Sequence, residues 1–431
     1  MGLVATRGEP LHRIQLGGPE GLLTSTSTRI AGLIAADDLR HPERLGVLVV
    51  PNATARVAAL QRRFDQLHSA RRWAYVMLAV LTIGAILVAL RLRTGFTRRF
   101  CVAVAPVMLT VSLLLSLAGA ARPEVILPVL GLGSIALAAA VALPRRLIVY
   151  LGPAILALFL VVMWSWPETS GFAALGPRPE QGGRFYGITN LEETVLLAIS
   201  LFSAAELGLA SVLPIGALAL VTVGWSRTGA DGGGLLVFAA AFAFLTLRLW
   251  GPITMRRVVV ALGLGIALVF AFIGIDEASG GHSHVTRAFE KGPAGWFGDL
   301  GHRLHLSADR LNTWHAALVF AVALVALVWL AVQRPRSAML DALLAGVAVS
   351  LLVNDSPTDV AAAGAIAGFV LWTWTATRYT RARALADPDP GRGGPPGGGM
   401  RLGGPDEGPA RDRRRLHPDS DNGGKGQRAG R

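Results

Sequence analysis

Two adjacent glutamates and an arginine stand at the start of a long apolar run near the middle of the chain. The stretch at 182–197, GGRFYGITNLEETVLL, contains Arg184, Tyr186, Asn190, Glu192 and Glu193. Charge at the mouth of a membrane helix is costly unless it is paired or hydrated, so it marks a functional site. Arg184 is the predicted anion contact, with Tyr186 and Asn190 beside it as substrate-binding residues. Glu192 and Glu193 are predicted to orient a substrate or to pair with Arg184; alternatively, they only stabilise the first turn of a helix.

A second polar stretch precedes the seventh apolar run. Arg227 and Asp231 stand within the sequence RTGADGGG. Backbone amides at a helix N-terminus, beside an arginine, suit a phosphate or pyrophosphate group. Alternatively, the glycines permit a tight turn and close helix packing. We predict Arg227 and Asp231 as substrate-binding residues and expect Arg227 to be the partner of Asp231. Further on, Asn354, Asp355 and Asp359 suit either a site or a pair of helix caps.

The loop at 276–312 is the richest in titratable side chains. Its HSH and HRLH sequences suggest metal ligands, but no cysteine or third-ligand pattern accompanies them, so we predict no metal site. His305 and His315 are the candidate catalytic bases, because imidazole accepts a proton near neutral pH. Arg287 is a further candidate phosphate contact, since a guanidinium fork matches phosphate oxygens.

The composition places these residues on a membrane protein. Of the 431 residues, 52% are hydrophobic and only 16% are charged, whereas about a quarter are charged in soluble proteins. Cys101 is the only cysteine, which excludes an intrachain disulfide. We predict an all-α, polytopic helical membrane protein with about eleven transmembrane helices, from apolar runs of about 17 to 20 residues. These runs lie at 74–90, 101–120, 125–143, 147–166, 191–209, 211–225, 233–249, 258–275, 314–332, 338–353 and 358–376.

Basic residues in the connecting loops predict the orientation. Arginines follow the first, third, seventh, ninth and last runs, so the positive-inside rule places the N-terminus outside and the C-terminus in the cytoplasm. Arg71 and Arg72, before the first run, oppose this assignment. All the polar stretches then share the external face. The net charge of +13 lies mostly in membrane-flanking arginines and the C-terminal tail, so the expected partners are anionic lipid headgroups at the cytoplasmic arginine clusters, not nucleic acid.

Three segments follow from this topology. Residues 1–72 form a short extracytoplasmic segment, with a strand-like run at 45–50 and a helix-like run whose apolar face suits either the lipid interface or a lead-in to the first span. Residues 73–378 form the multi-helix membrane domain, with external loops at 167–190 and 276–312. Residues 379–431 are rich in Gly, Pro and Arg and are expected to be a disordered, basic cytoplasmic tail.

Two sequences carry resemblances to known families. GLLTSTSTRIAGLIAADDL at 21–39 resembles the C-terminal portion of alkaline-phosphatase-like domains, with the later Asp-Leu-Ala-Pro-Thr element degraded. The resemblance implies a remnant of such a domain without its metal-binding and nucleophile parts. GRFYGITN at 183–190 resembles a group of bacterial multi-pass proteins that pair a membrane part with a phosphatase-like external domain. Leu191 stands where their motif has Glu. This resemblance implies location in the bacterial cytoplasmic membrane.

The order of three elements resembles the O-antigen ligase and polymerase superfamily. Arg184, Gly187 and Asn190 match an Arg-x-x-Gly-x-x-x-Asn-Pro-Asn element with one residue missing and no Pro-Asn after it. Ser226 and Arg227 match a Ser-Arg-Gly element with one residue inserted, and the loop at 276–312 takes the place of the large external loop. The resemblance implies the transfer of glycan from a polyprenyl-diphosphate carrier.

The expected function is therefore a cell-envelope glycan transferase, ligase-like or polymerase-like, that acts at the external face on a polyprenyl-diphosphate-linked substrate without a cofactor. Arginines would hold the diphosphate and a histidine would deprotonate the acceptor. Two alternatives stay open. The protein is a transporter or flippase, or it is a non-catalytic membrane partner of an external enzyme.

Overall fold

The computed structural model describes residues 1–6, 9–17, 20–182, 184–278, 298, 301, 305, 307–308 and 310–386, with side chains as far as Thr375. Within it, Met1–Arg383 forms one compact unit. The tail from residue 387 and most of the predicted loop at 276–312, including Arg287, lie outside the described residues.

The first fifty residues correct the all-α prediction, because they form strands. One sheet has the order β2–β1–β4, in which β1 (Gly2–Ala5) is antiparallel to β2 (His12–Ile14) and parallel to β4 (Leu33–Ala35). A second, two-stranded sheet pairs β3 (Gly21–Ser25) with β5 (Leu45–Val49), which confirms the strand-like run. These runs are rich in Val, Ile and Leu and too short for helices, as is typical of strands.

Eleven helices follow in the described ranges, and each coincides with one predicted apolar run. Seven of them are long and apolar enough to cross a membrane, namely α1, α2, α3, α4, α7, α8 and α9. The helical membrane class is therefore confirmed, whereas the count of eleven spans and their orientation stay predictions. The bounds are α1 Ala53–Leu92, α2 Gly95–Leu117, α3 Pro123–Ala142, α4 Leu147–Ser165, α5 Asn190–Leu207, α6 Leu209–Gly224, α7 Gly232–Trp250, α8 Met255–Ala278, α9 Trp314–Val332, α10 Ala338–Val353 and α11 Pro357–Ala386.

Helix α1 is a single 40-residue helix, and the predicted segment boundary at residue 72 falls inside it. Its first five turns do not lie on a lipid interface. Val57, Phe64 and Leu67 are buried against the protein, and the ring of Phe64 stacks on that of Phe172 at 5.1 Å. The apolar stripe in this region therefore belongs to a lead-in helix, and the interfacial alternative is wrong.

The loops separate into two ends of the helix bundle. At the basic end, Asp341 pairs with Arg248 at 2.9 Å and with Arg336 at 2.5 Å, which joins α7, α10 and the loop before α10. The polar end, where the predicted site residues lie, is formed by the loops at 166–189, 225–231 and 354–356. Basic and site-forming loops thus lie at opposite ends, as the topology requires.

Close contact between α4 and α5 depends on Gly152, whose N–H donates to the Ser203 hydroxyl at 3.1 Å. A Cβ at this position would lie 2.5 Å from that hydroxyl and 2.7 Å from the Ile199 carbonyl oxygen. We expect Gly152→Ala to destabilise the protein by about 1–3 kcal/mol through overpacking, measured as unfolding of the detergent-solubilised protein.

The matched control is Gly84→Ala in α1, because nothing lies within 4 Å of a Cβ at Gly84. Alanine there should be neutral or stabilise by up to about 1 kcal/mol, since it is the better helix former. Equal effects of the two substitutions would show that the contact at Gly152 does not limit the packing of α4 on α5.

Candidate functional site

Arg184 and Asp231 form an ion pair at the polar end, with 2.9 Å between Arg184 Nη1 and Asp231 Oδ2. Asp231 is 3% exposed and caps α7, since its other carboxylate oxygen accepts from the Gly234 N–H at 3.1 Å. This corrects the predicted pairing of Asp231 with Arg227. Burial by itself lowers the pKa of the Arg184 guanidinium, but the carboxylates of Asp231 and Glu193 together raise it above its ordinary value.

The two glutamates of the motif have separate partners. Glu192 forms a capping box with Thr189, whose N–H donates to the Glu192 carboxylate at 2.8 Å. Glu193 accepts from the Asn354 amide at 3.2 Å, and Asn354 also bonds the Ser350 hydroxyl at 2.7 Å. Both glutamates are buried. Glu192 therefore stabilises the first turn of α5, and Glu193 joins α5 to the end of α10.

The glycines of both predicted motifs permit close backbone contact. Gly187 has φ +90°, and a Cβ there would lie 2.0 Å from the Gly229 carbonyl oxygen. That same oxygen accepts from the Ile188 N–H at 3.0 Å, which joins the two loops. A Cβ at Gly233 would lie 2.3 Å from Asn354 Oδ1. Tight packing, the alternative to a phosphate cradle, is therefore what these glycines provide.

A cavity of about 2370 Å³ opens at the polar end and extends between the helices. Its polar part, which we call the mouth, is lined by arginines, acidic residues and one histidine: Glu9, Arg29, Arg44, Asp65, His68, Arg178, Glu180, Arg184, Arg227, Arg310, Asp355 and Asp359. Its apolar part, which we call the slot, is lined by Leu78, Ala79, Thr82, Cys101, Val102, Ala105, Pro106, Val195, Ala198, Ile199, Ala362, Ala363, Ile366, Ala367, Val370 and Leu371.

The slot exists because α1, α2, α5 and α11 present small side chains to it. On α11 the slot lining runs from Ala362 to Leu371 at intervals of three and four residues, which spans about 14 Å at 1.5 Å per residue. Cys101 lies near the start of α2, toward the basic end. The slot therefore extends over nearly half of a hydrocarbon core about 30 Å thick.

Three arginines of the mouth contact aromatic rings. The Arg29 guanidinium lies 4.1 Å from the Tyr186 ring, and that of Arg178 lies 5.0 Å from the Tyr75 ring. Arg227 lies 5.5 Å from the Trp164 ring. Within the described ranges neither Arg29 nor Arg178 makes an ion pair, whereas Arg184 is neutralised by Asp231. Arg29 and Arg178 therefore differ from Arg184 in having no ion-pair partner among the described residues, although the charge of Arg178 also acts on the Asp359 carboxylate.

The structure brings most of the predicted site residues together. Arg184, Tyr186, Asn190 and Arg227 line the cavity, while Asp231, Glu192 and Glu193 are buried at the same end. His305 and His315 are exposed and do not belong to the cavity lining. Among the described residues, no group of three or more His, Cys, Asp or Glu could hold a metal ion.

The residues of the mouth that were not singled out from the sequence include Arg29, His68, Arg178 and Glu180. A signal for His68 was available on α1, where Gln61, Phe64, Asp65, His68 and Tyr75 recur at helical spacing and all line the cavity. This mixed stripe of polar and aromatic residues on one helix face indicates a polar cavity wall. Arg29 and Arg178 lie in loops and had no such signal.

In comparisons with protein-family models, with curated proteins and with solved structures, nothing matches this chain. The three resemblances of the sequence therefore stay expectations, and the functional argument rests on the cavity.

Proposed function

We propose that the protein is a membrane transferase that binds a polyprenyl-diphosphate-linked glycan in this cavity and passes the glycan to an acceptor at the external face. One observation carries the proposal, namely the continuity of an arginine-lined mouth with an apolar slot. A long isoprenoid tail satisfies the slot, and a diphosphate satisfies the guanidinium groups. A small water-soluble anion would leave the slot without an apolar partner.

The size of the cavity supports a ligand of this class. Small-molecule sites enclose about 300–1,000 Å³, and this cavity has about 2370 Å³. The volume accommodates part of a tail together with the diphosphate and a saccharide.

The arginines of the mouth have different proposed roles, depending on whether they form an ion pair with a carboxylate. Arg29 and Arg178 are the proposed diphosphate contacts, because both line the mouth and neither makes an ion pair within the described ranges. Arg227 lines the same mouth and is a third contact. Arg184 is instead bound to Asp231 and supports the loop from which Tyr186 and Asn190 reach the cavity. The leaving diphosphate gains negative charge during transfer, so fixed guanidinium groups around it lower the barrier.

The only cysteine provides a direct test of tail binding. Cys101 is 1% exposed and lines the slot, so an apolar maleimide that labels it reports on that position alone. Saturating long-chain polyprenyl diphosphate should slow the labelling by at least about tenfold, since labelling then requires the slot to be free. Inorganic pyrophosphate should not slow it.

The arginine assignments are tested in the same assay. Arg29→Ala or Arg178→Ala should raise the concentration of polyprenyl diphosphate needed for protection by about tenfold, the effect of one lost charge-assisted contact. Arg40→Ala is the matched control, because Arg40 is exposed and does not line the cavity. A polyprenyl diphosphate that neither protects Cys101 nor raises the melting temperature of the protein would contradict the proposed function.

A lipid flippase is the second candidate, and the depth of the slot favours it. An apolar slot that extends between the helices from a polar mouth also suits a protein that moves the same amphiphile between leaflets. Reconstituted vesicles separate the two activities. A flippase changes the leaflet of an intact fluorescent polyprenyl diphosphate, whereas a transferase yields a saccharide product and free carrier.

A further inference from the structure

A histidine of the mouth has a buried carboxylate beside it. His68 Nδ1 lies 3.9 Å from Glu180 Oε1, and both residues line the cavity. The His68 side chain is 66% exposed, while that of Glu180 is 9% exposed. A carboxylate that accepts a hydrogen bond from one imidazole nitrogen holds the ring in a single orientation and tautomer and leaves the other nitrogen free to accept a proton.

The two oxygens of Glu180 are not equivalent. Oε2 accepts from Arg71 Nη1, and the Arg71 guanidinium is itself held by the Gly171 carbonyl oxygen at 2.6 Å. Oε1 is buried and has no hydrogen-bond partner in the described part of the chain. A buried oxygen without a partner is costly, and a small rotation of the exposed His68 ring would bring an Nδ1–H donor to it. Arg71 thus fixes a carboxylate whose second oxygen faces His68.

We propose that His68 is the general base of the transfer, with Glu180 as its positioning residue; this inference rests on the proposed function. The acceptor hydroxyl gives its proton to His68 Nε2 while its oxygen bonds to the anomeric carbon of the lipid-linked glycan. The bond between that carbon and the diphosphate oxygen breaks, and its electron pair leaves with the polyprenyl diphosphate. The proton on His68 then passes to water.

The position of His68 along α1 agrees with this role. His68 lies seven residues before Tyr75, whose ring contacts Arg178, so it is about 10 Å further from the slot along the helix axis. A glycan linked to a diphosphate at the level of Arg178 extends in that direction. His68 therefore lies at the level of the saccharide, where the acceptor would approach. The arginines that contact the phosphates lie closer to the slot that holds the tail.

Chemical rescue tests the base directly. With a polyprenyl-diphosphate-linked disaccharide as donor and a free oligosaccharide as acceptor, His68→Ala should lower the transfer rate by about 100-fold, the usual contribution of a general base. Added imidazole should restore part of the rate, which a purely structural defect would not allow. Protection of Cys101 by polyprenyl diphosphate should stay unchanged. His41→Ala is the control, since His41 lies outside the cavity lining.

The outcomes separate this inference from the proposed function. A His68→Ala rate within about threefold of the wild type, or a loss that imidazole does not restore, overturns the role of His68. So does a wild-type protein that binds the carrier but transfers nothing. If polyprenyl diphosphate neither protects Cys101 nor raises the melting temperature of the wild type, the proposed function is overturned instead.

Discussion

Replacing Glu180 with alanine is expected to destabilise the protein by about 3–5 kcal/mol, because it leaves a buried guanidinium without its carboxylate. Arg71 is 1% exposed and pairs with Glu180, which is 9% exposed. Chemical unfolding of the detergent-solubilised protein measures the loss.

The double variant Arg71→Met with Glu180→Leu shows whether the loss of stability comes from an unpaired buried charge or from lost side-chain packing. Removing both charges together should cost far less than Glu180→Ala, since apolar replacement of a buried pair is often close to neutral. Glu43→Ala is the control, because the pair of His41 and Glu43 is exposed to solvent and its loss should leave the free energy of unfolding almost unchanged. A double variant as unstable as the single one would show that the charges themselves are not responsible.

Asp231→Ala is expected to be the next most damaging change, at about 2–4 kcal/mol, because it removes both an ion pair and a helix cap. The pair with Arg184 is weaker than that of Arg71, since the Arg184 side chain is 34% exposed and can reach water. The Gly234 N–H at the start of α7 also loses its acceptor. The measurement is again the free energy of unfolding.

Asp231→Asn separates the two contributions. Asparagine caps a helix about as well as aspartate, so this variant keeps the bond to Gly234 and loses only the charge. The difference between the two variants should be about 1 kcal/mol, the usual value of a cap. An Asp231→Asn protein as stable as the wild type would show that the pair with Arg184 contributes nothing.

The apolar runs were sufficient to place the helices, because every helix in the described ranges contains one almost unbroken apolar run. They were not sufficient for the start of α1. The turns at 53–72 carry charged residues because they pack against loops and strands, and the sequence does not distinguish such packing from an interfacial helix. The short strands were equally hard to predict, since three to five residues contain too little periodicity.

The sequence predicted where the site residues lie better than it predicted which of them form ion pairs with each other. Loop polarity and topology brought Arg184, Arg227 and Asp231 to one end, and the contacts agree with that. The choice of Arg184 as partner of Asp231 depends on the close approach of Gly187 to Gly229, which spacing alone does not reveal. Arg178 and Glu180 lie in a loop without a motif, and their partners on α1 are about a hundred residues away in the chain.

The same pairing removes one of the two charges that oppose the predicted orientation, and the orientation itself stays a prediction. Arg71 and Arg72 opposed the assignment of an external N-terminus, because the positive-inside rule counts arginines that flank a span. Arg71 is neutralised inside the protein by Glu180. Of these two arginines, only Arg72 is an exposed charge that opposes an external N-terminus.

The length of α1 constrains how the cavity can change shape. This helix is 40 residues long, about 60 Å at 1.5 Å per residue, and one of its faces forms a wall of both the mouth and the slot. Because the helix is continuous, a change in its tilt alters the width of the mouth and of the slot together. A ligand that moved α1 at the mouth would therefore also change the fit of any group in the slot.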